Sequence, residues 1–315
     1  MKSHVLEELA TEENFDEAAY LLANPDVAQA VSKGLQQSGK SHFMRFGRNE
    51  NRMLRCKHSA ILEAKKIKHD AIKSLLRSDM PHQENENHYD FLTEELRAQF
   101  NIIDTDAVSS NYYDPHVIKI IKKHANGWIL DCGAGRRPVY YENVVNFEIV
   151  PYDTTDVRGV GEVLPFVDCA FDAVVSIAVL EHVKDPFRCA REIARVLKPR
   201  GELICCVPFL QPLHGYPHHY YNMTHQGLVN LFENHLDIEK IDVYDSVLPI
   251  WSLTWILKSW ADGLTGATKT EFLNLRIADL LESGDRYLGR SFVQELSASK
   301  NLELASATVL FARKK

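Results

Sequence analysis

An acidic residue and two glycines spaced by one end an apolar run in Trp128-Ile129-Leu130-Asp131-Cys132-Gly133-Ala134-Gly135. That is the pattern of a buried parallel strand stopping in a tight turn against a ligand, where a side chain would hold the backbone away. Glu148 ends the next apolar stretch, where a carboxylate can accept hydrogen bonds from both hydroxyls of a ribose. Downstream stand groups able to take a proton. His182 follows Leu180-Glu181, and the segment 208–221 gathers His214, His218 and His219 with Tyr216, Tyr220 and Tyr221. Imidazole titrates near neutrality, so any of these histidines could act as base toward a hydroxyl, and His182 could equally be a pocket wall. Adjacent residues on an extended loop point opposite ways, which favours His214 and His219 over His218. The three loop histidines could hold a metal on paper, but Gly215 and Pro217 forbid the helix that would align them. With no carboxylate close in sequence, no metal site is expected.

Those residues need a scaffold. Apolar runs predict strands over 128–131, 144–149, 172–177 and 202–207, with a helix over 186–196. A helix over 225–234, a strand over 237–243 and a last strand over 303–313 follow, the final two separated by a long insertion at 245–300. Helices are also expected at 91–99 and 114–124. Alternating strands and helices argue an α/β, doubly wound parallel sheet. Tyr112 and Tyr113, just before Asp114-Pro115, stand where the chain could cross the ligand cleft.

The chain has 315 residues, 45% hydrophobic and 25% charged, the balance of an ordinary globular protein. The acidic N-terminus does not read as a signal peptide, and no run of 18 apolar residues exists to span a membrane. The six cysteines show no disulfide spacing, and a cytoplasmic location is expected. The net charge of −7 hides a basic stretch: Arg45 to Arg77 holds ten Lys/Arg against three Asp/Glu. Apolar positions 61, 64, 67, 71, 72 and 75 place much of that charge on an amphipathic helix. It is either a solvated face or a site for an acidic or phosphate-bearing partner. Trp251, Trp255 and Trp260 fall in 247–260, a lid over the acceptor, a dimer contact, a membrane-surface element or added core.

Two resemblances can be named. Phe15-Asp16-Glu17-Ala18-Ala19-Tyr20-Leu21-Leu22-Ala23-Asn24-Pro25-Asp26-Val27, with His42-Phe43 and Phe46-Gly47-Arg48-Asn49-Glu50-Asn51-Arg52, resembles a short NPDV-type repeat of bacterial glycan-related and surface proteins. It marks 1–55 as a small helical docking module, with 56–90 a basic helix and linker and 91–315 the main domain. The second resemblance covers 128–243. Leu130 to Gly135, Asn146-Phe147-Glu148, Leu164-Pro165-Phe166, Phe171 to Val175, Val179-Leu180-Glu181-His182-Val183 and Arg191 to Gly201 come in register. This series resembles the class I S-adenosylmethionine-dependent methyltransferases.

That resemblance implies a Rossmann-like seven-stranded sheet with its last strand antiparallel, and S-adenosylmethionine as cofactor. It implies a donor site from Asp131, Gly133, Ala134, Gly135, Glu148, Ile149, Val160, Gly161, Ile177, Ala178 and Glu181, with helix N-terminal amides near the turn and Asp131 near the donor's ammonium group. Val160 departs from the family, which commonly places there an acid that meets adenine. Backbone and apolar contacts, or Asp156, are the substitutes. Pro138 stands where a dinucleotide fingerprint needs its third glycine, although Arg136 and Arg137 could still meet a pyrophosphate. The expected acceptor is an oxygen of a small molecule or a saccharide, with a protein partner for the N-terminal module. A nucleic-acid acceptor is not expected on a main domain this acidic. A non-catalytic scaffold is the competing class.

Overall fold

The computed structural model describes residues 2–56, 58–105, 108–215 and 218–313, so Tyr216 and Pro217 of the predicted acceptor loop lie outside the described residues. Strands β1 (Ser3–Val5) and β2 (Glu7–Leu9) open the chain, ahead of helices α1 (Glu17–Ala23), α2 (Pro25–Ser32) and α3 (Gly39–His42) and strand β3 (Met53–Arg55). β2 pairs with β3, and Tyr20, Val27, Phe43 and Leu54 form a small core beneath them. The NPDV-type residues hold this unit together. The Asn24 amide donates to the carbonyls of Tyr20 and Met53, Pro25 starts α2, and Asp26 takes both NH groups of Arg52 at 2.9 and 2.7 Å. Tyr20 hydroxyl meets His42 Nδ1 at 3.0 Å.

The basic helix α4 (Leu62–Ile72) follows. Its buried positions are Ala64, Lys65, Lys68 and Ile72, while Ile67, expected inside, is 62% exposed. The inward lysines find oxygens at the sheet edge. Lys65 Nζ donates to the carbonyls of Asp153 and Thr155, and Lys68 Nζ to that of Val144 and to Asp156 Oδ2 at 2.9 Å. Nearby, Arg55 bridges Glu7 and Asp153. The acidic partner of this segment is therefore the chain itself. Periodicity counted the lysines as solvent-facing because it cannot see the oxygens across from them.

Strands β4 (Gln83–Glu84) and β5 (Tyr89–Asp90) precede helices α5 (Glu94–Phe100) and α6 (Pro115–Lys123). Then come β6 (Ile129–Cys132), β7 (Val139–Tyr141), β8 (Val144–Glu148), β9 (Val157–Arg158), β10 (Phe171–Ile177), helix α7 (Pro186–Val196), β11 (Leu197–Cys206) and helix α8 (His225–Phe232). The main sheet has seven strands in the order β11-β10-β6-β8-β9-β5-β4, all parallel pairs except β4 with β5. From β6 the chain builds outward first through β8 and β9, then on the other side through β10 and β11. The order reverses between β6 and β10, and ligands of doubly wound sheets sit at the carboxyl ends of strands beside such a point.

The expected α/β doubly wound sheet is present, with one correction of membership. Residues 237–243 form no strand, and 303–313 begin inside a helix and continue without regular structure. The antiparallel member is β4, from the stretch expected to be a linker. Strand propensity records fit to a half-buried pleated surface, and Ile238, Ile241, Val243, Val309 and Leu310 are exposed with no strand beside them. Helices α9 (Pro249–Asp262), α10 (Gly266–Leu273), α11 (Ser291–Gln294) and α12 (Ala298–Leu304) fill the expected insertion around Ala261, Leu264, Phe272, Phe292 and Leu296. Trp260 packs on that core, whereas Trp251 and Trp255 remain largely exposed.

The motif residues outside the ligand side serve the scaffold. Arg195 on α7 pairs with Glu192 and Asp168 and donates to the carbonyls of Leu164 and Phe166, clamping the Leu-Pro-Phe segment. Asp172 caps the backbone N–H of Trp128 and pairs with Lys198. The Pro199-Arg200-Gly201 segment is a bulge within β11, with Arg200 at φ 64°.

Candidate functional site: buried acceptors at the strand ends

The glycine turn leads into β7, not into a helix as the resemblance implies. Its amides are all used within the chain. Gly133 and Ala134 donate to Phe147 carbonyl, Gly135 to Glu148 Oε2, Arg136 to Ser109 carbonyl and Arg137 to Thr154 hydroxyl. No anion cradle of free amides is left, so neither helix-terminal amides nor a pyrophosphate fit here. Arg136 and Arg137 turn inward too. Arg136 donates to Leu22 carbonyl, and Arg137 pairs with Asp131 at 2.8 Å.

The side chains at this end offer oxygens. Asp131 is fully buried; its Oδ2 receives Arg137 and the Tyr113 hydroxyl, while Oδ1 has no partner among the described residues. Glu148 Oε1 accepts from Ile149 and Val150 N–H and Oε2 from Gly135 N–H, leaving an acceptor direction on Oε2. Burial pushes its carboxyl above the usual range, against those three donors. The expected crossing segment runs here: Ser109 to Tyr113 lies along the turn, with the Arg137 guanidinium 4.1 Å from the Tyr113 ring centre.

The remaining donor-site candidates divide. Ile177 packs with Val117 and Ile121 under α6, and Ala178 is exposed at φ 54°. Val160 is buried with Leu92 and Phe100, and Gly161 faces Cys189. Asp156 is excluded as a substitute adenine acid, because Lys68, the Tyr140 hydroxyl and Asn146 N–H consume it inside the scaffold. Glu162, six residues on, is committed through one oxygen, Oε1 accepting from the N–H groups of Lys184 and Asp185.

Gly133 fixes how close the turn comes to the strand beside it. Its φ is +85°, and a Cβ there would stand 2.4 Å from Val179 Cγ2. Gly133→Ala should therefore cost about 2–4 kcal/mol from clash and backbone strain together. Urea unfolding should show Val179→Ala recovering part of that loss; equal stability of Gly133→Ala and wild type would overturn the argument.

Beyond Val179 the chain gathers its histidines. Glu181 is fully buried and neither carboxylate oxygen has a hydrogen-bond partner among the described residues; burial pushes its pKa up to about 7. His182 Nε2 lies 3.7 Å and His214 Nε2 3.9 Å from Glu181 Oε1. Ring centres of His182, His214 and His219 are 4.3 to 5.5 Å apart. Burial lowers the pKa of His182 and His214. The tautomers follow from the partners. His182 Nδ1 faces His218 carbonyl at 2.7 Å and His214 Nδ1 faces Pro212 carbonyl at 3.0 Å, so both Nδ1 atoms carry the proton. Among the described residues no hydrogen-bond donor meets either Nε2 lone pair. His219 differs: its Nδ1 accepts from His214 N–H and its Nε2 donates to Asn222. It is a wall, not a base. His214 also borders a cleft of about 500 Å³ between the 211–214 loop and helices α9 and α12.

Residues 132–205 match the Methyltransferase domain family. The chain carries a methyltransferase domain. Uncharacterised methyltransferases of Mycobacterium leprae (strains TN and Br4923) are 32% identical over 128 residues, 39% of this chain and 44% of theirs. A methyltransferase-named protein of Encephalitozoon cuniculi is 48% identical over 56 residues, 16% of this chain and 26% of that one. The chain thus spans less than half the length of the curated relatives it matches. Among solved structures, the YcgJ protein of Bacillus subtilis is 18% identical with a TM-score of 0.31, over 50% of this chain and 88% of that one. A methyltransferase of Thermotoga maritima is 20% identical with a TM-score of 0.28, over 35% and 62%. The domain match implies S-adenosylmethionine as the cofactor. Sequence reasoning missed how far the chain's own cations, Arg55, Lys65, Lys68 and Arg137, fill its acidic edge; the Arg-Arg pair after Gly135 was the available signal.

Proposed function

We propose that this chain transfers a methyl group from S-adenosylmethionine to an oxygen of a small molecule or saccharide. One observation carries the reading: among the described residues, the strand ends beside the glycine turn offer buried oxygens with acceptor capacity to spare, while the amides of the turn are all used. Asp131 Oδ1 suits a ligand group bearing positive charge, and Glu148 Oε2 keeps room for a ribose hydroxyl. The residues therefore fit the donor, although Arg137 leaves only one oxygen of Asp131 for an ammonium group.

S-adenosylmethionine, when bound, supplies an electrophilic methyl group. The chain's part is to hold an acceptor in line and to receive its proton. The cleft beside His214 would hold an acceptor hydroxyl, and Nε2 of His214 or His182 would receive its proton. The saccharide preference rests on the N-terminal resemblance.

Calorimetric titration of the full chain with S-adenosylmethionine and S-adenosylhomocysteine tests the donor site. The expected result is one site with a Kd of about 1–100 µM, on the order of −5 to −8 kcal/mol. No binding by the wild-type chain would overturn the reading and leave a scaffold protein on this fold.

A further inference from the structure

We infer that Glu181, His182 and His214 form a binding site for one divalent first-row transition-metal ion. One ligand atom from each residue can be chosen so that all lie within 4.8 Å of one another. Two are neighbours in sequence; the third arrives from the loop after β11, so only the fold assembles the set. Metal–ligand bonds of about 2.1 Å at tetrahedral angles place ligand atoms about 3.4 Å apart. The separations of 3.7 and 3.9 Å from Glu181 Oε1 to the two Nε2 atoms need only a few tenths of an ångström of closure.

Three independent features point to a cation. The Glu181 side chain is fully buried, yet both its oxygens lack a hydrogen bond among the described residues, an arrangement that costs free energy without a partner. Both imidazoles donate Nδ1–H to backbone carbonyls, which fixes the tautomer and leaves Nε2, the atom near Glu181, as the ligand atom, the outer-shell arrangement metal-binding histidines use. The loop is shaped to reach: Gly215, at φ +73°, passes so close that a Cβ would stand 2.4 Å from His182 Cε1.

The donor set selects the ion. Two imidazoles and one carboxylate suit Mn²⁺, Fe²⁺, Co²⁺ or Zn²⁺ rather than Mg²⁺ or Ca²⁺, which prefer oxygen. His182 and His214 remain partly open, with side chains 30% and 36% exposed, so positions are left for water or an acceptor oxygen. His219 is outside the set because both its nitrogens are used. The site itself does not depend on the methyl-transfer reading. Its use in polarising an acceptor hydroxyl does, and an ion on the two Nε2 atoms would take over the task given above to a histidine base.

The full chain, stripped with chelator and desalted, is titrated with Co²⁺ and Zn²⁺ by calorimetry and visible absorption, without S-adenosylmethionine. The expected result is one Co²⁺ per chain with ligand-field bands, displaced by Zn²⁺ but not by Mg²⁺. Glu181→Gln and His214→Ala should each weaken binding by at least about tenfold, while His225→Ala, at an exposed position of α8, leaves it within about threefold. Circular dichroism confirms that the variants fold, and half-exposed His214 serves if Glu181→Gln does not. No saturation by about 1 mM Co²⁺, or affinity unchanged in a folded Glu181→Gln or His214→Ala chain, would overturn the site. Displacement by Mg²⁺ would overturn its assignment to nitrogen-bound metals. Metal binding without donor binding would overturn the proposed function and leave this site standing.

Discussion

Arg55→Ala should destabilise the chain by about 3–5 kcal/mol, the usual loss when one partner of a buried ion pair is removed. Arg55 has no exposed surface, and its guanidinium touches three parts of the molecule. Nη1 donates to Glu7 at 2.6 Å, Nε and Nη2 to Asp153 at 3.0 and 2.7 Å, and Nη2 also to the carbonyl of Arg137 at 3.3 Å. Removing it takes the nearest cation from two carboxylates, leaving the 8% exposed Glu7 with Arg136 at 3.9 Å, and frees the segment after the glycine turn. In thermal melts the loss should lower Tm by about 2–4 °C per kcal/mol. Asp153→Asn added to Arg55→Ala should recover part of it, because one stranded charge disappears. Arg45→Ala, at an exposed position of the same basic stretch, should stay within about 0.5 kcal/mol. If Arg55→Ala melts like Arg45→Ala, the N-terminal module does not depend on this junction.

Glu148→Ala should weaken S-adenosylmethionine binding by at least about 100-fold, since hydrogen bonds to a charged group contribute about 1.5–3 kcal/mol each. Two effects combine at this residue. The carboxylate would hold the ribose hydroxyls, and it already gathers the N–H groups of Gly135, Ile149 and Val150, fixing the turn against the end of β8. Glu148→Gln keeps the shape and one acceptor oxygen, so its affinity should fall between wild type and alanine. Calorimetry on the three chains gives the order directly. Equal affinity in all three would remove Glu148 from the donor site, while leaving metal binding at Glu181 unaffected.

The sequence determined the parts whose signal is local. β8 and β10, the helix over 186–196 and the glycine turn after β6 fall where periodicity and punctuation place them, because a strand or helix buried on one side must repeat its apolar residues. The chemistry-bearing residues were legible by type: Asp131 and Glu148 stand at strand ends, and Glu181, His182 and His214 on the segments that follow β10 and β11. Their partners were not. Arg137 on Asp131, Lys68 on Asp156 and Arg55 on Asp153 join residues that no spacing rule connects, and each decides whether a carboxylate faces a ligand or the scaffold. His219 illustrates the same limit, since only its contacts with His214 N–H and Asn222 show that it has no lone pair to offer. Sheet membership was also a tertiary matter. Residues 83–90 complete the sheet because the edge of β9 lies beside them, whereas the strand-like sequence at 303–313 meets no such edge. Hydrophobic pattern specifies which face of an element is buried; which charges meet across the fold, and which edge receives a strand, depends on pairings between distant residues that only the assembled structure brings together.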